Sequence, residues 1–311
     1  MTPRAKPAAF LISLILMMTV AIAIQVVRDR SFAYSTVDRP VLYVTSPEVM
    51  RRAALSYDTL LADVYWIRAL QHYGGERVKP DSERNYDLLY PLLDVATTLD
   101  PRFSIGYRFG AIFLAEPHPG GAGRPDQAIA LLKKGIAFNP AKWDYYHDIG
   151  FIYYWNLHDY QSAADWFARG GNVPGAPFWL KSYAAVMLTR GGDRQASRVM
   201  WTQIGQNEES EWLRRMAQLR LAQLDALDQI DILTQRVGEF TRRTGQRARS
   251  WEQLAAARAV GGLPLDPSGT PYTLDPQTGR VGVARDSDLW PLPTEPAAAP
   301  ELRGDAPPVP R

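Results

Sequence analysis

Apolar side chains recur at three- and four-residue intervals through the middle of this chain, the spacing that places them on one face of a helix. Prolines interrupt the pattern at Pro101, Pro140 and Pro174, at intervals of 140 − 101 = 39 and 174 − 140 = 34 residues. Read back from each proline, small and bulky positions repeat. The first copy has Tyr86, Leu89, Leu93 and Ala96 before Leu99-Asp100-Pro101. The second has Ala128, Leu132 and Gly135 before Phe138-Asn139-Pro140, and the third has Tyr160, Ala163, Phe167 and Gly170 before Pro174. Helices predicted over 105–113 and 145–154 hold their own small residues, Gly110 and Gly150. A further pair is predicted over 179–188 and 193–204, with Ala196 in the small position, and a last pair over 211–224 and 229–243. A small side chain at a crossing lets two helices approach, and proline cannot continue a helix. The fold class is therefore mainly α, with helix pairs over 57–244.

These residues resemble the tetratricopeptide repeat (TPR) family, whose unit is a 34-residue helix pair. The resemblance covers roughly residues 60–240. It implies a right-handed α-solenoid of antiparallel helix pairs, with Gly110, Ala128, Gly135, Gly150, Ala163 and Gly170 at the packing positions. In that family the first helix of each pair lines a concave groove. Alignment on Gly150 then places Asp144, His147, Phe151 and Tyr154 in the groove, and alignment on Gly110 places Ser104, Tyr107, Ala111 and Leu114 there. The family's carboxylate-clamp subgroup uses Lys, Arg and Asn at such positions. Here His147 and Phe151 stand instead, which argues against that mode. Eight of the 18 residues over 143–160 are aromatic, more than a core absorbs, so surplus rings are expected on a surface that stacks against a protein partner. The stretch 116–125, rich in proline and glycine, reads as an insertion loop between repeat helices.

Ahead of the repeats, residues 8–27 carry no charge, and only Ser13, Thr19 and Gln25 are polar. Twenty residues of helix rise roughly 30 Å, the thickness of a bilayer's hydrocarbon core. Ala21-Ile22-Ala23 approaches a signal-peptide cleavage site, but the apolar run continues past it, which favours an uncleaved anchor over residues 1–30. The short basic N-tail favours a cytoplasmic start, so a bacterial inner-membrane location with the bulk of the chain periplasmic is expected. A linker is expected over 31–56. The chain has no cysteine, and a net charge of +2 supplies no field that would draw nucleic acid.

Composition changes near residue 245, and an appendix is expected over 245–289. Ser250 and Gln253 form a capping-box pattern for a short helix that Gly261-Gly262 would stop. Two short strands, 272–274 and 280–283, flank a turn at 275–279. Leu263, Pro264, Asp266, Pro267, Gly269, Pro271 and Tyr272 resemble the segment leading into the C-terminal β-hairpin of major pseudopilins and type IV pilus subunits. Some pseudopilins bind calcium near this hairpin, which makes Asp266, Asp275, Asp286 and Asp288 conceivable ligands, although turn chemistry also explains such aspartates. Residues 290–311, with seven prolines, read as a disordered tail.

No metalloprotease HExxH pair, nucleophile elbow or P-loop is present, so no catalytic residue, metal site or cofactor is assigned. His147 with Asp144 and Asp148 lacks the i, i+4 histidine spacing of a metal site. The resemblances together imply a membrane-anchored scaffold for a protein partner, in a type IV pilus or secretion assembly. The alternatives are an accessory subunit of an envelope transporter or a metal-dependent enzyme.

Overall fold

The computed structural model describes residues 5–31, 46–206 and 210–295. The chain divides into two compact units, Met1–Tyr43 and Val44–Arg311. The first holds helix α1, Ala5–Ser31. Its described side chains, from Ser13 to Val27, are all exposed. The span expected over 8–27 is described only in part: among the described residues, no helix is long and apolar enough to cross a membrane. The stretch with described side chains is 15 residues, roughly 22 Å of helical rise, shorter than a bilayer core. The side chains of residues 8–12 lie outside the described ones.

The second unit is mainly helical. Its first helix, α2 (Pro47–Ala53), falls within the expected linker because Ser46 caps it, accepting from Val49 N, and Pro47 takes the first helical position. The rest of that linker, 32–45, lies outside the described residues. There follow α3 (Asp58–Arg77), α4 (Leu89–Leu99), α5 (Ser104–Ala115), α6 (Pro125–Phe138) and α7 (Trp143–Trp155). Then come α8 (Tyr160–Gly171), α9 (Trp179–Arg190), α10 (Arg194–Gly205) and α11 (Glu211–Thr244). From α3 to α11 each helix packs on the next, and α4 also meets α6 as α5 meets α7.

What joins these helices is a set of notches filled by bulky side chains. A Cβ on Gly150 would lie 2.7 Å from the Phe167 ring of α8, and one on Gly110 2.9 Å from Leu93 and 3.1 Å from Leu131. Gly135 is flanked by Tyr107 and Tyr145, each 3.1 Å from the place of a Cβ, and Gly170 by Leu180 at 2.8 Å and Tyr146 at 2.9 Å. Ala128 and Ala163 are fully buried. Between α4 and α6 there is also a polar tie, in which Lys134 Nζ donates to Asp94 Oδ1 at 2.6 Å and to Thr97 and Thr98 hydroxyls.

The last expected helix pair is instead a single helix of 34 residues, α11. The connecting stretch Asp225-Ala226-Leu227-Asp228 holds neither glycine nor proline, and Ala226 and Leu227 are buried, so nothing breaks the hydrogen-bond ladder. Its first half, through Leu213, Ala217 and Leu224, packs on Trp201 and Ile204 of α10. Its second half, through Leu233, Val237 and Phe240, carries the C-terminal module. Gly245, at φ +69°, ends the helix in the left-handed conformation that favours glycine.

The C-terminal module begins with α12 (Trp251–Ala256), capped by Ser250, which accepts from Gln253 N, while Gln253 Oε1 accepts from Arg249 N. This helix stops ahead of Gly261-Gly262: Arg258 takes φ +54° and Ala259 N returns to Leu254 O. Strands β1 (Thr273–Leu274) and β2 (Val281–Gly282) pair antiparallel, with Thr273 opposite Gly282 and Leu274 opposite Val281. Asp275 organises the turn by accepting from Gln277 N and Thr278 Oγ1, and Gly279 takes φ +75°. Trp251, Leu254, Tyr272, Val281, Val283 and Leu289 close one cluster against α11.

The expected disordered tail also needs correcting at its start. Gln223 Nε2 donates to the carbonyls of Leu289 and Pro291, and Arg194 holds Glu295 through two bonds of 2.6 Å. Residues 290–295 are thus docked; 296–311 lie outside the described residues.

Gly150 and Gly238 separate the two consequences of a helical glycine. We expect Gly150→Leu to overpack the Phe167 notch and cost roughly 1–3 kcal/mol. Nothing lies within 4 Å of the Gly238 Cβ position, so Gly238→Ala should stabilise by about 0.5–1 kcal/mol through helix propensity. Thermal melts of the two variants check both signs.

Candidate functional site

Helix α7 sorts its rings by face. Tyr145, Ile149 and Ile152, at i, i+4 and i+7, are buried, which leaves His147 and Phe151 on the far side and Asp144, Asp148 and Trp155 along the flank between. Phe151 is 45% exposed and Trp155 60%. Their rings lie nearly parallel, 11° apart with centroids at 6.2 Å, and His147 stacks on the other side of Phe151 at 6.4 Å. The row continues onto α9, where Trp179 meets His147 edge-on at 5.5 Å and Tyr183 at 5.2 Å. Exposed rings held this way are pre-ordered, because each neighbour restricts the other's rotamers.

Beside this row, α5 and α7 enclose an open cleft of about 370 Å³, lined among others by Arg108, Ile112, Glu116, His147, Phe151 and Trp155. At one wall Arg108 donates from Nε to Asp148 Oδ2 at 2.6 Å and from Nη2 to Asp148 Oδ1 at 3.1 Å, and its Nη1 stands 3.2 Å from Asp144. The Asp148 fork raises the Arg108 pKa, against the opposing effect of desolvation, so the cation is permanent. His147 Nδ1 lies 3.0 Å from the same Asp148 oxygen. At the other end Asn156 Nδ2 donates to Ala115 O at 2.9 Å and ties the C-termini of α5 and α7. The carboxylates of Asp144 and Asp148 are occupied by Arg108 and that of Glu116 by Tyr73 and Arg77, and what remains open is mostly apolar. A larger hollow of about 580 Å³ on α11 is walled by Arg236, Glu239, Arg243 and Arg258, with one aromatic residue, the buried Phe240, in its lining.

Of the residues expected in the groove, His147 and Phe151 line the cleft, and Asp144 meets Arg108 at its wall. Tyr154 is half-buried against Tyr160, its hydroxyl accepting from Arg190 Nη1 at 2.7 Å. Tyr107 and Leu114 are corrected to core residues, with no exposed surface, whereas Ala111, buried as well, lines the cleft. The cause is a one-residue register error. Helices α5 and α7 start at Ser104 and Trp143, 143 − 104 = 39 residues apart, whereas 150 − 110 = 40. Gly150 therefore corresponds to Ala111, and the exposed positions of α5 are Ile105, Phe109 and Ile112, with Arg108 beside them. The proline interval of 39 carried this signal. Trp155 was missed because it lies one residue beyond the predicted helix.

The 116–125 loop is pinned to the body of the unit. Arg84 Nη1 and Tyr86 OH both donate to Pro119 O at 3.0 Å, and Arg124 N donates to Leu114 O at 2.7 Å. Tyr73, its hydroxyl pushed up to about 12 by burial and by its bond to Glu116, fastens the loop's first residue.

Among the described residues, no group of three or more histidines and carboxylates is placed to hold a metal. Asp266 is buried and saturated: its Oδ1 accepts from Ser268 N, Ser268 Oγ and Thr270 N, and its Oδ2 from Ser287 Oγ. Asp275 serves its own turn, and Asp286 and Asp288 are exposed. The chain matches no family model and no curated protein.

Burial pushes the Asp266 carboxyl up, but the Ser287 and Ser268 hydroxyls and the Thr270 and Ser268 amides outweigh it and hold the pKa below its usual value. A depressed folded pKa contributes stability above the unfolded value of about 3.9, lost as pH falls through the folded one. We expect amide exchange over 265–290 to accelerate as pH drops below about 4, after correction for intrinsic rates, with α4–α8 protected longer. In Asp266→Asn this acid dependence should flatten, and the module should lose about 1 kcal/mol or more at neutral pH.

Proposed function

We propose that this chain is a membrane-tethered helical-repeat scaffold that docks a protein partner in the cleft between α5 and α7. The observation that carries the reading is the ordered, exposed row His147–Phe151–Trp155 beside an apolar cleft. Phe151 and Trp155 are left about half in water, forgoing part of the roughly 1.5–3 kcal/mol that full burial of a large side chain supplies, and docking recovers it. Sequential packing from α3 to α11, with α5 on α7 and α4 on α6, supports a solenoid of antiparallel helix pairs of the TPR kind, since short connections join neighbours that run in opposite directions.

Exposed apolar side chains around α1, among them Leu14, Ile15, Leu16, Met17, Met18 and Ile22, support the tether, because a helix apolar on every side is suited to lipid. In this reading α1 sits in a bacterial inner membrane and the repeats face the periplasm. The pilin-like hairpin directs the search for the partner first to type IV pilus or secretion assemblies.

Two experiments test this. Membranes extracted with alkaline carbonate should retain the chain; release of a soluble form starting near Gln25 would replace the tether by a signal peptide. For docking, Phe151→Ala with Trp155→Ala should preserve the circular dichroism of the wild type, since both rings are exposed. Loss of a single central anchor costs about 2 kcal/mol or more, about thirty-fold in Kd, so the double variant should release partners that copurify with the wild type. Undiminished copurification would move the docking site elsewhere.

A further inference from the structure

The second half of α11 and the end of α12 bring three arginines into one hollow. Residues 232, 235, 236, 239 and 243 recur at helical spacing on one face of α11, and with Arg258 they wall the space of about 580 Å³. Arg236 and Arg243 stand two turns apart, roughly 10 Å along the axis. Each reaches a carbonyl where α12 ends, Arg236 Nη1 donating to Ala259 O at 3.3 Å and Arg243 Nη2 to Ala257 O at 3.2 Å. Residue 258 lies between the two carbonyls they hold. It is an arginine at φ +54°, a conformation that favours glycine, although Gly261 and Gly262 follow close by. Strain kept at one residue points to a use for its side chain.

Elsewhere α11 closes arginines with carboxylates: Arg194 and Arg198 of α10 share its Asp225, Asp228 and Asp231. In the hollow, among the described residues, no carboxylate is in an ion pair with Arg236, Arg243 or Arg258. Glu239, the carboxylate of the lining, accepts from Gln235 Nε2 at 2.9 Å instead. Three positive charges against one negative leave the lining with a net charge of +2, and most of the N–H groups of each guanidinium stay available. A carboxylate brings one charge and two oxygens to such a place. A phosphomonoester brings a charge of about −1.5 to −2 and three acceptor oxygens, one for each guanidinium.

A phosphate group does not fill the space. An adjoining hollow of about 380 Å³ shares Ile232 and Arg236 with the first and continues along Leu263, Pro264 and Leu265. Ile232, Leu263 and Leu265 are each about half exposed. Apolar surface running on from a cationic one suits a ligand that is apolar behind an anionic end.

We infer that this double hollow binds a phosphomonoester carried on an apolar body. The phosphate sits between Arg236, Arg243 and Arg258, and the apolar part lies along Ile232, Leu263 and Leu265. The site shares no residue with the α5–α7 cleft and does not rest on the docking role of that cleft.

Phenyl phosphate tests for a soluble ligand, and phosphatidylcholine vesicles with and without phosphatidic acid test for a lipid. With the full chain in neutral detergent, calorimetry should give a Kd for phenyl phosphate about ten-fold below that for inorganic phosphate, through burial of the ring. Arg258→Gly removes one guanidinium where glycine suits the backbone. It should therefore melt no lower than the wild type, yet raise the Kd about ten-fold or more, as should Arg243→Gln. Glu239→Gln should lower it. On vesicles, amide exchange over 254–262 should slow only when phosphatidic acid is present, and not in Arg258→Gly. Either response supports the site and identifies the source of the phosphate. No response to phenyl phosphate or to phosphatidic acid, equal affinities for the phenyl and inorganic phosphates, or affinity unchanged in Arg258→Gly and Arg243→Gln would overturn the proposal.

Discussion

Between neighbouring helices of this protein, a ring or branched side chain occupies the space where a Cβ would otherwise project. Phe167 fills the notch at Gly150, Tyr107 and Tyr145 that at Gly135, Leu93 and Leu131 that at Gly110, and Leu180 with Tyr146 that at Gly170. These contacts set how near each helix comes to the next, and interiors packed at crystal-like density leave little freedom to adjust them. The consequence reaches the surface. Once Tyr145, Ile149 and Ile152 are committed inward, the helical repeat leaves His147, Phe151 and Trp155 outward.

The long helix α11 ties the structure together at its other end. Its first half completes the apolar contacts of α10, and its second half gives the small C-terminal module a surface to pack on, which a two-stranded hairpin needs for stability. Arg194 gathers Asp228 and Asp231 of α11 with Glu295, so α10, α11 and the last described residues meet at one guanidinium. Several charges sharing a half-buried centre hold geometry better than isolated surface pairs do.

The groove follows from division of labour among the aromatic residues. Buried rings provide packing, half-buried ones such as Tyr154 anchor through their hydroxyls, and the remainder form the exposed row. Arg108 pairs with Asp148 and Asp144, and Lys142 stands 4.0 Å from Asp144, so the cleft presents apolar surface without an unpaired carboxylate at that wall. What the cleft offers is an apolar, aromatic surface beside a paired guanidinium.

Hydrophobic periodicity determined the helical class and most helix positions, and cap and turn residues determined the Ser250 cap and the hairpin turn, because each depends on local spacing and backbone chemistry. The register of the groove was not legible in the same way. Gly110 and Gly150 look equivalent in sequence, but one meets Leu93 and Leu131 and the other Phe167, and their helices start 39 residues apart rather than 40. Local pattern likewise suggested two helices over 211–243 and a disordered tail from 290. Whether Leu227 lies in a turn or in a core, and whether Glu295 finds a cation, depends on partners 30 to 100 residues away, as Arg198–Asp228 and Arg194–Glu295 illustrate. Such long-range pairings leave no periodic trace, so the tertiary structure alone decided them.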